Sequence, residues 1–184
     1  VTTASRPRLR ESLGRALPWV AVAGLVLVAV GQLRARGGID EGVSAPSFDA
    51  TLDDGTTFRP EAYRDRVVVL NFWGSHCPPC RREAPALARV AAELRARGDV
   101  LVGLSVDPTP LAEAVRAGRA FGMNYSLALA PEAALDAYRV RVLPTTVIIA
   151  PGGRVARTIV GEVDEARLRA EVAAARGLLS SPPR

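Results

Sequence analysis

The sequence has no lysine, two cysteines, one histidine and one methionine, and only 5% of its 184 residues are aromatic. Two cysteines and one histidine cannot supply a four-ligand structural zinc site or a disulfide-dense scaffold. Only one apolar run is long enough to span a bilayer, which excludes a polytopic membrane protein. What the chain does have is apolar bulk. Hydrophobic residues make up 48% and charged residues 23%, enough to drive collapse and exclude an intrinsically disordered chain. The length suits one domain with an appendage.

With lysine absent, every cation is arginine, and the formal net charge is +5. Arg6, Arg8, Arg10, Arg15, Arg34 and Arg36 face only Glu11 and Asp40 within residues 1–40, so most of the excess sits there. The remainder is close to neutral. No basic stripe interleaved with aromatics is present, and nucleic-acid binding is rejected.

Residues 16–33, ALPWVAVAGLVLVAVGQL, carry no charge and lie between Arg15 and Arg34. As a helix this run would span roughly 27 Å, close to the hydrocarbon thickness. Trp19 stands near one end, where an indole suits the interface. More arginines precede the run than follow it. The positive-inside rule therefore leaves residues 1–15 in the cytoplasm and carries residues 41–184 across the membrane. A cleaved signal peptide is the rival reading, although no small-x-small cleavage site follows the run. A buried core helix would need an amphipathic period, which is missing. With no cysteine nearby, a lipoprotein anchor is excluded. Residues 34–46 read as a flexible linker.

Beyond the linker, 47–52 and 56–58 flank Asp53-Asp54-Gly55 as short strands around a turn. Residues 67–73, VVVLNFW, form a continuous apolar, β-branched run, the pattern of a buried central strand. A helix is predicted over 78–97, kinked by Pro85 and ended by Gly98. Further strands are expected at 100–106, 125–129, 145–150 and 155–160, the last two joined as a hairpin by Pro151-Gly152-Gly153. Helices are expected at 111–121, 132–138 and from the cap Asp164 to about Arg176. Alternating strands and helices closed by a hairpin predict an α/β fold with a mixed central sheet flanked by helices.

Cys77-Pro78-Pro79-Cys80 directly follows the central strand and opens a helix. A C-x-x-C in that context reads as a redox motif. Pro78 suits the first helical position, where a missing N–H is no loss. Cys77 is thereby set at the helix N-terminus, where free N–H groups and the dipole favour an anion. A thiolate there is the competent nucleophile, and Cys80 is spaced to close a disulfide or resolve a mixed one. Other readings stay open. A structural disulfide would constrain so short a loop very little. Half of a metal site would need ligands beyond His76, and a copper carrier would need a distant histidine. A peroxidase of the peroxiredoxin type would need a proline and a threonine or serine where Leu70 and Gly74 stand.

The segment VVVLNFWGSHCPPCRREAP, the later Val140-Arg141-Val142-Leu143-Pro144-Thr145-Thr146 and the PGGRV hairpin together resemble the TlpA/ResA-like group over roughly residues 43–176. These are membrane-tethered, extracytoplasmic members of the thioredoxin superfamily. The resemblance implies a thioredoxin-like domain over 47–176, with 177–184 as a tail. It implies that Pro144 is a cis-proline facing the disulfide. Leu143 would offer its backbone to an extended substrate. Trp73 would pack beside the dithiol and, with Pro78, Pro79 and His76, would border the substrate surface. Glu83 matches an acidic residue that tunes the thiols and handles protons; its alternative is a solvated helix-face charge. Cytoplasmic thioredoxins carry a buried Asp where this chain has Asn71. The family commonly has Trp where His76 stands, and a protonated imidazole there would further favour the thiolate.

Catalytic roles are therefore expected for Cys77, Cys80, Glu83 and Pro144, with no metal and no organic cofactor. The expected partners are exported proteins with disulfides, apocytochrome c among them, and a membrane thiol-transfer protein of the DsbD/CcdA type as electron donor. The expected location is the extracytoplasmic side of the cytoplasmic membrane. A general disulfide reductase or oxidase in oxidative-stress defence, and a non-catalytic binding module using the Leu143-Pro144 groove, are the alternative readings.

Overall fold

A computed structural model of the chain describes residues 37–177, together with Val22, Gly24 and Leu25, which are helical. Apart from those three, the expected membrane segment 16–33 lies outside the described residues, as do residues 1–15 and 178–184. No helix among the described residues is long and apolar enough to cross a membrane. The chain divides into two compact units, 1–36 and 37–184; the second is described below.

Five strands form its sheet, in the order β5-β4-β3-β6-β7. Strand β3 (Val68–Trp73) is central and wholly buried. Its parallel neighbours are β4 (Val100–Ser105) and then β5 (Ser126–Leu129), while β6 (Thr145–Ala150) and β7 (Arg154–Val160) add an antiparallel hairpin. Two short strands, β1 (Ala50–Thr51) and β2 (Thr57–Phe58), pair separately around the Asp53-Asp54-Gly55 turn. Among the described residues of this unit, a short 3-10 helix (Pro60–Tyr63) precedes four α-helices: α1 (Pro78–Ala96), α2 (Leu111–Ala120), α3 (Glu132–Ala137) and α4 (Glu165–Gly177). This is the mixed, helix-flanked sheet that the thioredoxin-like resemblance implies.

Period-two alternation along β3 divides the core. Val69 and Trp73 pack with Leu87, Val90 and Leu94 of α1 and Leu168 and Val172 of α4. Val68, Leu70 and Phe72 face the opposite side, against Phe48, Phe58 and Tyr138. Asn71 shares the α1-facing side with Val69 and Trp73. The antiparallel register sets Thr146 of β6 directly opposite it. One polar pair is thus carried into an apolar layer beneath α1.

Helix α1 runs through Pro85 without a break. The proline sits on the exposed face, so the Arg81 carbonyl it leaves unpaired is open to water. At the far end Gly98 adopts φ +79°. Its N–H donates to Arg95 O and the Asp99 N–H to Leu94 O, a Schellman ending. Asp164 Oδ1 accepts from Arg167 N–H at 2.8 Å, capping α4 as its sequence position predicts.

One boundary differs from the sequence expectation. Within 34–46, read as a flexible linker, the stretch from Gly37 onward is laid against the hairpin. Gly42 N–H donates to Val155 O, Val155 N–H to Val43 O and Ala45 N–H to Gly153 O. Ile39 is buried beneath. The outer edge of β7 has unpaired backbone groups, and this segment satisfies them. Glycine and charge give it the composition of a spacer, because the backbone bonds and the ion pairs Arg139–Asp40 and Arg157–Glu41 that anchor it join residues distant in sequence.

Candidate active site

The site is built at the junction of β3 and α1. Cys77 is the N-cap of α1, with extended backbone angles of φ −108° and ψ 98°. Pro78 and Pro79 occupy the first two helical positions and carry no N–H. Arg81 N–H already donates to Cys77 O. The one free donor left in the first turn is therefore the Cys80 N–H, and it points to Cys77 Sγ at 3.2 Å. The two cysteines are joined as a disulfide, with their Cα atoms 5.3 Å apart. Cys77 is half-buried, whereas Cys80 is fully buried against the α1 core. An incoming sulfur can reach only the first of them.

Leu143-Pro144 is a cis peptide, as the resemblance implies. Pro144 is buried and Leu143 half-buried. A Cβ placed on Gly74 would lie 3.4 Å from Leu143 Cδ1, so this loop stands against the turn that leads into Cys77. That turn is also clamped from the other side. Asp107 Oδ2 accepts from Ser75 N–H at 2.7 Å and from Ser105 Oγ at 3.1 Å. Nothing in the sequence marked Asp107, since its partner is 32 positions away.

His76 and Pro78 are exposed at the rim. Ser75 Oγ lies 2.9 Å from His76 Nδ1. Trp73, expected at the substrate surface, is instead fully buried and edge-on to Phe121 at 5.9 Å. It supports the site from below and offers no surface. A side chain at Gly118 of α2 would come within 3.2 Å of the indole, so the glycine permits that packing.

Glu83 is 2% exposed, which rules out the solvated-charge alternative. Its Oε1 accepts from Asn71 Nδ2 at 2.8 Å and its Oε2 from Val163 N–H at 3.1 Å. Burial raises its pKa from 4.5 to about 7, more strongly than these two donors lower it. Asn71 Nδ2 also donates to Thr146 Oγ1 at 3.1 Å. In the sequence Asn71 stands out only as a departure from a buried Asp, and Thr146 does not stand out at all. Its strand parity was the available signal. No cluster of three or more His, Cys, Asp or Glu that could hold a metal occurs among the described residues.

Residues 42–158 match the profile of the AhpC/TSA family. The chain is 31% identical over 131 residues to the thiol-disulfide oxidoreductase ResA of Bacillus subtilis, covering 71% of this chain and 73% of the relative. Over 121 residues it is 34% identical to the ResA of Geobacillus kaustophilus, covering 65% of this chain and 69% of that one. Among solved structures, a putative thiol:disulfide interchange protein DsbE from Chlorobium tepidum superposes with a TM-score of 0.67. It shares 27% identity and covers 74% of this chain and 98% of that one.

Proposed function

The chain belongs to the AhpC/TSA family and is a thioredoxin-like thiol-disulfide oxidoreductase; from that premise we propose that it reduces disulfides of exported proteins, apocytochrome c in particular, from an extracytoplasmic position on the cytoplasmic membrane. The observation that carries the reading is the asymmetry of the dithiol. Cys77 is half-exposed at a helix N-terminus, and Cys80 is buried behind it.

In the reduced protein the Cys77 thiolate attacks a target disulfide. A Cys77–target bond forms and one target sulfur leaves as thiolate. The Cys80 thiol gives its proton to the Glu83 carboxylate and, as thiolate, attacks Cys77 Sγ. The second target sulfur then departs. The target has gained two electrons and the domain is left as the Cys77–Cys80 disulfide. A membrane thiol-transfer protein of the DsbD/CcdA type restores the dithiol by the same exchange in reverse. Leu143 and Pro144 flank the target's backbone, and His76, Pro78 and Pro79 form the rim it meets. Residues 16–33 hold the domain at the membrane.

A Cys80→Ser chain expressed in cells, which leaves the mixed disulfide unresolved, tests this. Capture of exported apocytochrome through Cys77 is the expected result. Capture of unrelated exported proteins in its place would replace cytochrome maturation with general disulfide reduction. Full cellular function in a Cys77→Ser chain would overturn the exchange chemistry in favour of a binding module.

A further inference from the structure

We propose that Asn71, paired with Thr146, is a positioning residue that holds Glu83 in both of its protonation states by reversing the direction of its hydrogen bonds. This rests on the reading of Glu83 as the group that takes the Cys80 proton.

The geometry supplies the parts. Asn71 is fully buried, and its Nδ2 serves Glu83 Oε1 and Thr146 Oγ1 together. Its Oδ1 is buried with no hydrogen-bond partner. This arrangement fits a carboxylate, which only accepts. Once Glu83 gains a proton on Oε1, an O–H would face an N–H donor. A half-turn of the amide about χ2 removes that conflict. Oδ1 then faces both neighbours, accepting from Glu83 O–H and from Thr146 O–H. The Thr146 hydroxyl can do this because it serves equally as acceptor or donor. Either orientation leaves the same side of the amide without a partner, so the turn costs no additional hydrogen bond. The other Glu83 oxygen keeps the Val163 N–H throughout.

An aspartate at position 71 could not serve in this way. It would set a second carboxyl beside the first, and the two would share one proton. The charged groups around Glu83 are balanced elsewhere. Arg82 pairs with Glu162, and Arg89 with Glu165. Asp164 caps α4 and the Tyr125 phenol is buried. Among the described residues no cation is left to fix Glu83 as a permanent anion, so its proton is governed by burial and the neutral amide.

The test uses the full chain, isotopically labelled, with the Glu83 carboxyl carbon and the Asn71 side-chain amide followed by NMR against pH. The Asn71 amide signals are expected to titrate with the same midpoint as the carboxyl. Asn71→Ala removes the amide from both protonation states, and because the bond it donates to the carboxylate is charge-assisted and the stronger of the two, the midpoint should rise by about one pH unit, a tenfold change in proton affinity. It should carry the pH profile of target reduction with it. Asn71 signals that stay constant while Glu83 titrates would overturn the proposal, as would an unmoved midpoint in Asn71→Ala. The wild-type signals decide even if that variant does not fold. Glu83→Gln tests the underlying reading separately. A pH profile that survives it removes Glu83 from the proton path, whereas a profile lost in Glu83→Gln but unmoved in Asn71→Ala removes only Asn71.

Discussion

Helix α1 has a buried carboxyl group near each end, and their surroundings differ in one respect. Asp99, just past the C-terminus, is ion-paired to Arg176 and accepts the Val67 N–H at 3.0 Å. Glu83, in the second turn, has a backbone N–H of the same kind but a neutral amide in place of the cation. With a cation alongside, a buried carboxylate is a structural tie between α4 and the start of β3. Without one, burial outweighs the two hydrogen bonds that oppose it and the group titrates near neutrality. The same element thus carries an ion-paired carboxylate at one end and an exchangeable proton at the other. The exchangeable one lies a turn beyond the cysteines.

The largest expected contrast is in activity. Cys77→Ser should bring disulfide reduction down to the uncatalysed background, while Asp99→Ala should leave turnover per folded molecule unchanged; an insulin-reduction assay on both variants separates the two ends.

Next comes the response of stability to pH. The Glu83 pKa is raised in the folded chain, so the folded state holds the proton longer than the unfolded one. Below about pH 4.5 both states are protonated at this site and it costs nothing. Between 4.5 and about 7 the unfolded chain loses its proton first, and stability falls as pH rises. Above that window the loss is constant, on the order of 3 kcal/mol. Glu83→Gln should abolish this component. Urea unfolding of the two proteins should agree near pH 4 and diverge progressively toward pH 8, with the variant the more stable. Parallel curves across that range would show that Glu83 is not the titrating group.

At the other end, Asp99→Ala should cost about 2 kcal/mol by orphaning the Val67 N–H and leaving Arg176 without its partner. That lowers Tm by roughly 6 °C for a domain of this size. Smallest is Gly98→Ala. A Cβ there meets only Arg66 Nη1, at 4.0 Å. The cost is therefore conformational alone, about 1 kcal/mol for a non-glycine residue at positive φ. A larger drop in Tm would mean that the Schellman ending does more than terminate the helix.

Much of this arrangement was legible in advance. The hairpin strand 145–150 was predicted at its observed bounds, and the central strand to within one residue, because β-branched runs punctuated by Pro-Gly-Gly or flanked by turns admit few alternatives. The place of Cys77 at the head of a helix followed from Pro78. Other features depended on contacts distant in sequence. Glu83 is as compatible with a solvated face as with a buried one until α4 and the Val163 loop close over it. The anchoring of residues 37–46 depends on which edge of β7 is free.

The sequence by itself determined the order of elements, the position of the dithiol and the chemistry that two cysteines at that spacing can perform. These are local consequences of periodicity, turn residues and the N–H groups of one helical turn. Only the tertiary structure decided which cysteine faces outward, that Trp73 supports the site rather than lining it, and that Glu83 meets Asn71 and no cation. Burial is a property of what packs on top of a residue, and part of the layer that covers these side chains comes from segments 80 or more positions away.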